Sequence, residues 1–380
     1  MPRRTVYSVL GAFAVSRAAI LLLLVVGSQI AFIGKEYSNT VWRTEVPLSA
    51  GRLWPELSRI AMVGDAWWYQ RIVVDGYERP TGDGAPKNTW AFFPLYPLLV
   101  RIAGGGGSSF PFAAILTSNA AFLAALFAVA AAGRELGAAD DDVERATWYL
   151  ALFPTSYFFS LPMTESLFLL LSAGTLLAAA RQRWWAAGIL GGLASGTRLI
   201  GICLLPALLL LPLQRRQRLS RQQSWLLLVP IGLIGFVCYL YAKTGDPLAF
   251  VHAEALWGRG GSAAGFGTTI QHGDFVISKP WNFVALNAAA GLLMIAASVS
   301  FFVRRQWSYA VYSLLSAALP LSSGSLQSLS RYALVDFPLF YWMAAAGRTP
   351  ARDRALTAVF VALLGWLVAL FTLRLDFALA

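Results

Sequence analysis

Residues 64–101 read GDAWWYQRIVVDGYERPTGDGAPKNTWAFFPLYPLLVR and are the most polar part of an otherwise apolar chain. The stretch opens on Asp65 and closes on a proline-punctuated segment from Trp90 to Pro97. Flexible linkers rarely hold this many aromatic residues, because low hydrophobicity is what keeps a linker disordered. Amphipathic rings instead concentrate where a membrane meets water, so the pattern predicts a folded layer at that boundary. Its rings are Trp67, Trp68, Tyr69, Tyr77, Trp90, Phe92, Phe93 and Tyr96.

The composition on either side of this stretch is typical of a multi-pass membrane protein. The 380 residues are 57% hydrophobic and 13% charged, with a mean hydropathy of +0.60. At about 20 residues per span, roughly ten or eleven transmembrane helices fit. The net charge of +11 comes from arginines in short loops between apolar runs, which follows the positive-inside rule and does not indicate nucleic-acid binding. Cys203 and Cys238 both lie in apolar runs, so neither a disulfide framework nor a zinc site is indicated.

The arginine positions predict a single all-α membrane domain over residues 1–380 with its N-terminus in the cytoplasm. Arg3 and Arg4 precede the first apolar run, which places the first large loop, residues 34–101, outside the cytoplasm. A second extracytoplasmic loop is expected over residues 243–283. We therefore expect about 11 spans in the plasma membrane, with juxtamembrane helices in the first loop.

The apolar run 184–213 is too long for one span, because a straight helix of that length measures about 45 Å against a hydrocarbon core of about 30 Å. Arginine clusters flank it on both sides, and both can be cytoplasmic only if the run turns back. Glycines surround Arg198 at its middle, where a helix breaks most easily. The sequence therefore predicts two short helices that meet near Arg198.

Two further predictions concern helix continuity. Pro154 and Pro162 each remove a backbone donor, so they predict a broken helix that lines a cavity on the extracytoplasmic side. The apolar sequence over about 332–347 predicts one continuous span.

Three ionisable residues are candidates for either a structural or a functional role. Asp65 is either the N-cap of a short helix or a general base that takes a proton from a hydroxyl. A charge inside an apolar run costs about 2.5–3.5 kcal/mol at mid-span, so Arg198 requires a partner or a cavity. It could pair with Glu165 or bind a lipid-borne phosphate, and helix-start capping could equally account for Glu165.

Three further residues have weaker claims. Arg331 is expected at the exterior end of a span, either as a snorkelling side chain or as a phosphate ligand. Lys87 is either an ordinary loop lysine or a second phosphate ligand. The two histidines are too few for a hydrolase triad, although the fold could bring His252 close to the aromatic layer, where Tyr69 and Tyr77 are expected to support the site.

The cytoplasmic loop RELGAADDDVER allows two interpretations. Asp140 and Asp142 could be paired carboxylates that hold a divalent metal and a nucleotide sugar. The favoured alternative is helix initiation, with Asp141 as N-cap and Glu144 completing a capping box. No metal is therefore indicated.

Four segments together resemble the PIG-V-like mannosyltransferases. GDAWWYQRIVVDGYERP with AFFPLYPLLVR is similar to the family's first luminal loop, and FPTSYFFSLPMTESLFLLLSAG to its segment ending T-E-S-L-F. GGLASGTRLIG resembles the family's break around T-R, and RYALVDFPLF its R-Y segment near the end. The matches follow the family's order over residues 64–340. One departure is Gly64, where the family usually has Trp.

This resemblance implies a GT-C glycosyltransferase that transfers a sugar, mannose by analogy, from a polyprenyl-phosphate donor to a lipid or glycan acceptor outside the cytoplasm. The family's catalytic aspartate falls on Asp65, its glutamate on Glu165 and its arginine on Arg198. Metal-independent or weakly metal-dependent transfer with no other cofactor is expected. The alternative from another class is a transporter or flippase for lipids or lipid-linked sugars, because broken helices and intramembrane charges suit both.

Overall fold

A computed structural model describes residues 1–33, 50–78, 89–218, 220–255, 283–324 and 326–372. Within these ranges every regular element is helical, as the composition predicts. The α-helices are α1 (Arg3–Ile33), α2 (Ala50–Ala61), α3 (Asp65–Asp75), α4 (Leu95–Ile102), α5 (Phe110–Glu135), α6 (Asp140–Leu152), α7 (Glu165–Ala180), α8 (Trp184–Ser195), α9 (Leu204–Gln214), α10 (Ile231–Thr244), α11 (Ala249–Ala255), α12 (Phe283–Val303), α13 (Trp307–Leu321), α14 (Leu329–Val335), α15 (Phe337–Ala346) and α16 (Pro350–Thr372). Short 3₁₀ turns are Thr89–Ala91, Gly107–Ser109, Ser156–Ser160, Leu199–Cys203 and Arg221–Leu228.

Long apolar helices make this a multi-pass membrane protein. Among the described residues, five helical segments are long and apolar enough to cross a membrane, and three shorter apolar helices accompany them. The long segments are Arg3–Gly27, Gly107–Glu135, Arg221–Thr244, Val284–Val303 and Pro350–Thr372. The prediction of about 11 spans is therefore not confirmed as a count, because much of the remaining apolar sequence folds into shorter, interrupted helices.

The break predicted near Arg198 is confirmed. Helix α8 ends at Ser195, and the chain resumes as a 3₁₀ turn at Leu199 before α9. The two outer ends of this pair lie side by side, because the side-chain amide of Gln182 donates to that of Gln217 at 2.7 Å. Arg215 also donates to the carbonyl of Ala180. Both arginine-rich ends of the run therefore lie together, as a hairpin requires.

The break at Asp336 was not predicted. A continuous span was expected over residues 332–347, but α14 ends at Val335 and α15 begins at Phe337. Pro338 accounts for the interruption, since it lacks an N–H and its ring would clash with the carbonyl of Leu334 in a continuous helix. Asp336 lies in the break and accepts a hydrogen bond from Ser313 at 2.9 Å.

The described parts of the 64–101 stretch form a packed aromatic layer. Tyr69 on α3 makes edge contacts with the rings of Phe92 and Tyr96, each with centroids 5.3 Å apart. Phe93 packs on Phe236 of α10 at 4.9 Å. Such pairs add stability beyond their buried area. The layer therefore fixes α3, and with it Asp65, against the apolar helices.

Candidate functional site

Charged side chains from four distant segments meet at one end of the helices. Asp65 is the first residue of α3, and Glu165 is the first residue of α7. Arg198 lies in the break between α8 and the following 3₁₀ turn, and Arg331 lies on the short helix α14. All four sit at helix starts or breaks, where the chain places polar groups beside, and not inside, a continuous helix.

Glu165 is the centre of the network. Its Oε1 accepts hydrogen bonds from Arg198 Nη1 at 2.7 Å and from Arg331 Nε at 2.8 Å. Arg331 Nη2 lies 2.6 Å from the same oxygen and donates to Asp65 Oδ2 at 2.7 Å. Arg198 Nη1 also reaches the hydroxyl of Thr164 at 3.3 Å. Arg331 therefore bridges the two carboxylates.

Burial decreases across the network from Glu165 to Asp65. The exposed fraction of the side chain is 0% for Glu165, 5% for Arg331, 12% for Arg198 and 23% for Asp65. Two carboxylates balance two guanidinium groups, so the cluster is neutral overall. Pairing of this kind offsets the cost of burying the charges. Asp65 is the member that a substrate can reach most easily.

The capping explanations for both acids are wrong. Gly64, with a φ of 50°, is the N-cap of α3, and no side chain caps that helix. Thr164 takes the same position before α7, again without a side-chain cap. Asp65 and Glu165 lie one residue further into their helices, and their carboxylates turn to the arginines, which are stronger partners than backbone N–H groups. Asp65 Oδ1 has no partner among the described residues.

The guanidinium groups of the cluster keep unused donors. Arg198 donates only through Nη1, and Arg331 only through Nε and Nη2, to any residue that the structure describes. Arg198 Nε and Nη2 and Arg331 Nη1 are therefore not engaged by described protein groups. Aromatic faces hold both groups in place: Arg198 lies 5.0 Å from the ring of Tyr332, and Arg331 lies 4.8 Å from that of Phe158.

The structure excludes one interpretation of Arg331 and supports one interpretation of Arg198. Arg331 is not a snorkelling side chain, because only 5% of it is exposed and its head group is turned into the protein. Arg198 does pair with Glu165, as one of its interpretations required. That pairing uses one nitrogen and leaves the phosphate interpretation open for the other two.

The residues predicted to support the site lie in different parts of the chain, and among those that the structure describes only Tyr69 lies beside the charged network. Tyr69 is buried beside Asp65, Glu165 and Thr164. Tyr77 lies in the aromatic layer, where its hydroxyl donates to the carbonyl of Phe92 at 2.6 Å. His252 pairs with Asp246 at 2.6 Å on the surface of α11, with 66% of its side chain exposed. It contacts no member of the cluster. Lys87 and most of the 243–283 loop lie outside the described residues.

Sequence reasoning missed several residues that complete the site. Thr164, Phe158 and Tyr332 lie within the matched motifs, but their neutral side chains gave no signal of charge. Arg17 did give a signal in the sequence, because it is a lone charge in the first apolar run.

The acidic loop before α6 forms a set of ion pairs. Helix α6 begins at Asp140 with Ala139 as its N-cap, so the prediction of Asp141 as N-cap in a capping box is wrong. Arg4 binds Asp141 at 3.1 Å and Glu144 at 3.0 Å, and Arg134 binds Asp140. No group of acidic, histidine or cysteine side chains able to hold a metal occurs among the described residues.

Asp142 is the buried member of this acidic set. Arg348 Nη2 donates to its Oδ2 at 2.6 Å, and Arg145 donates to its Oδ1. Burial raises the pKa of Asp142, but the hydrogen bonds from Arg348 and Arg145 outweigh that effect and hold the pKa below its ordinary value. The paired form therefore stabilises the folded protein above the ordinary Asp pKa of about 4, and this stabilisation is lost as the pH falls through the lower folded value.

We expect Asp142→Asn to lower the free energy of unfolding by about 1.5–3 kcal/mol at pH 7, the range for hydrogen bonds to charged groups. The difference from wild type should shrink when thermal unfolding is measured below about pH 4. Asp140→Asn is the matched control, since its ion pair with Arg134 is largely exposed and should contribute about 0–1 kcal/mol. Equal losses for the two variants would contradict this assignment.

No protein-family model matches the chain, and no curated protein matches its sequence. Among solved structures it is similar to the apo oligosaccharyltransferase of Archaeoglobus fulgidus, with a TM-score of 0.52 and 12% identity, covering 96% of this chain and 56% of that one. The complex of that archaeal enzyme with an inhibitory peptide and a dolichol-phosphate gives a TM-score of 0.45 and 12% identity, with coverages of 94% and 56%. The form tethered to an acceptor peptide gives 0.40 and 14%, with coverages of 93% and 55%.

At this level of identity the similarity to the apo enzyme shows the fold alone. The chain has the GT-C fold that the sequence resemblance implied, and it spans 56% of the archaeal chain. Membership of the PIG-V-like family stays a prediction.

Proposed function

We propose that this GT-C-fold protein is a glycosyltransferase that moves a sugar from a polyprenyl-phosphate donor to a hydroxyl of a lipid or glycan acceptor. The sugar that we favour is mannose. The observation that carries the proposal is the network of Asp65, Arg331, Glu165 and Arg198. It places a partly exposed carboxylate next to two arginines that retain free N–H groups. We place the reaction at the extracytoplasmic membrane surface, where the aromatic layer suits the headgroup region.

The carboxylate of Asp65 is the general base of the reaction. Its Oδ2 is held by Arg331, which leaves Oδ1 for the acceptor hydroxyl. As the acceptor oxygen bonds to the anomeric carbon, its proton passes to Asp65. The bond between that carbon and the phosphate oxygen breaks on the opposite face, and its electron pair leaves with the lipid phosphate. The sugar configuration is therefore inverted.

Arg198 and Arg331 stabilise the leaving phosphate. The donor phosphodiester carries one negative charge, and the released monoester carries nearly two at neutral pH, so charge grows at the phosphate while it disappears from Asp65. Arg331 contacts Asp65 through Nη2 and has Nη1 free. It can therefore stabilise the negative charge on Asp65 before the reaction and the charge on the phosphate after it. Arg198 offers Nε and Nη2, the edge of a guanidinium group that binds phosphate in a bidentate manner.

The test is incubation of the purified protein with a panel of radiolabelled polyprenyl-phosphate sugars and membrane lipid extracts. We expect transfer from one donor, with Arg198→Lys raising the KM for that donor by about tenfold or more, because an ammonium lacks the bidentate fork. Arg304→Lys at an exposed helix end is the matched control. If every donor stays intact with every extract, the proposal is overturned.

The transporter alternative predicts a different result when the purified protein is placed in vesicles with the same labelled donors. A flippase moves a labelled lipid across a vesicle membrane and leaves its sugar–phosphate bond intact. Transport without cleavage would therefore assign the charged network to substrate passage.

A further inference from the structure

Arg17 is a charged side chain in the middle of the long apolar helix α1, and the reaction proposed above does not use it. Such a charge is costly within a membrane unless partners surround it. Among the described residues no carboxylate lies within ion-pair distance of Arg17. The positive charge must be stabilised in another way.

Neutral acceptors bind all five N–H groups of Arg17. Nη1 donates to the carbonyl of Ser156 at 2.9 Å and to the hydroxyl of Ser160 at 3.0 Å. Nη2 donates to the carbonyl of Ala151 at 3.3 Å and to the hydroxyl of Ser156 at 3.2 Å. Nε reaches Ser16 at 3.3 Å, and the ring of Phe122 lies 4.7 Å from the guanidinium carbon. Arg17 therefore has no N–H left for a ligand, in contrast to Arg198 and Arg331.

These acceptors belong to one structural feature, the break between α6 and α7. Ala151 is in the last turn of α6, where carbonyls lack helical partners and carry partial negative charge. Ser156 and Ser160 are the first and last residues of the 3₁₀ turn that follows. A single guanidinium thus ties the end of one helix to both ends of the turn.

The turn that Arg17 holds also touches the charged network. Its middle residue, Phe158, presents the ring on which the Arg331 guanidinium lies at 4.8 Å. Next to the turn, Thr155 donates to the carbonyl of Ser330 at 3.3 Å, immediately before Arg331 in the chain. On the other side, Ser166 of α7 donates to the carbonyl of Phe159 at 2.8 Å. Movement of the turn would therefore displace Arg331 and the start of α7 together.

We propose that Arg17 is a positioning residue: it clamps the Ser156–Ser160 turn and, through the ring of Phe158, sets the direction in which Arg331 presents its free N–H groups. The proposal rests on the donor-binding role proposed for Arg331. Lysine cannot replace Arg17, because one ammonium offers three donors from a single point where the site requires five from a planar fork.

The first arm of the test compares Arg17→Lys with the exposed control Arg304→Lys in donor kinetics. We expect Arg17→Lys to raise the KM for the donor by about tenfold, equivalent to one or two lost hydrogen bonds, while kcat stays within a few-fold. A merely structural role would lower the amount of active protein, and so kcat, at an unchanged KM. That outcome would overturn the proposal.

The second arm is a double-mutant cycle between Arg17→Lys and Phe158→Leu on the same KM. If Arg17 acts through the ring of Phe158, the KM of the double variant should be close to that of the single variant with the larger increase. If the two residues act independently, the two increases in KM should multiply. Multiplicative effects would overturn the proposed route.

The third arm needs no substrate, so it separates this proposal from the proposed function. Hydrogen exchange in detergent should accelerate at the backbone amides of residues 155–166 and 329–335 in Arg17→Lys but not in Arg304→Lys. Unchanged exchange there would overturn the clamp even if the protein transfers sugar. Accelerated exchange in a protein that transfers no sugar would confirm the clamp and reject only the donor chemistry.

Discussion

Asp65→Asn is expected to reduce turnover by about 10²–10⁴-fold, the usual contribution of a general base. Asparagine keeps the size of the side chain and an oxygen that can accept the hydrogen bond from Arg331, but it cannot take the proton of the acceptor hydroxyl. Because Asp65 is the most exposed member of the network, we expect little change in the temperature of unfolding. The measurement is steady-state transfer with the donor identified from the panel.

Donor affinity separates the role of a base from that of a phosphate ligand. Asp65→Asn removes one negative charge from a neutral cluster, so binding of the anionic donor should be retained or strengthened. The matched control is Asp75→Asn, at the exposed end of the same helix, which should turn over as wild type does. Normal turnover of Asp65→Asn would move the base elsewhere, with Glu78 and His252 as the next residues to substitute.

Glu165→Gln is expected to destabilise the protein by about 3–5 kcal/mol, the cost of removing one partner from a buried ion pair. Glu165 is completely buried and binds two arginines through one oxygen, so its loss leaves two guanidinium groups facing Asp65 alone. The effect should appear as a large drop in the unfolding temperature in detergent. Glu135→Gln is the control, since its pair with Arg181 is exposed and contributes about 0–1 kcal/mol.

A second variant shows whether charge balance causes the loss. Glu165→Gln combined with Arg198→Met removes one charge of each sign, and part of the lost stability should return. If Glu165→Gln unfolds at the wild-type temperature, the network does not depend on Glu165. If the double variant is less stable by the sum of both single losses, the pairing of Glu165 with Arg198 contributes nothing.

Local chemistry explains what could be predicted from the sequence. Long runs of apolar residues predict membrane helices because a helix satisfies its backbone hydrogen bonds within a single segment, as the lipid interior requires. Glycines around Arg198 and the prolines at 154 and 162 predicted two helix breaks, since both residue types act on the backbone where they stand. Pro338 carried the same information about the break at Asp336, but the apolar run around it suggested a continuous span.

The sequence could not predict in the same way which acidic side chain pairs with which arginine. The sequence allowed an N-cap role for both Asp65 and Asp141 and favoured it for Asp141, but the two residues lie one and two positions inside their helices. In the folded protein both carboxylates pair with arginines that lie far away in the chain, Arg331 and Arg4. No local sequence pattern shows either pairing, because each arginine comes from a distant part of the chain.

The sequence by itself determined the membrane class and the residues whose charge requires a partner, because both follow from the cost of polar groups in an apolar run. Glycines and prolines also determined two of the helix breaks. Only the tertiary structure decided that Arg331 bridges Asp65 and Glu165 and that Arg17 is saturated while Arg198 is not. Asp65 and Arg331 are 266 positions apart. Their contact depends on how whole helices pack, and the packing of apolar helices is set by shape across the entire domain.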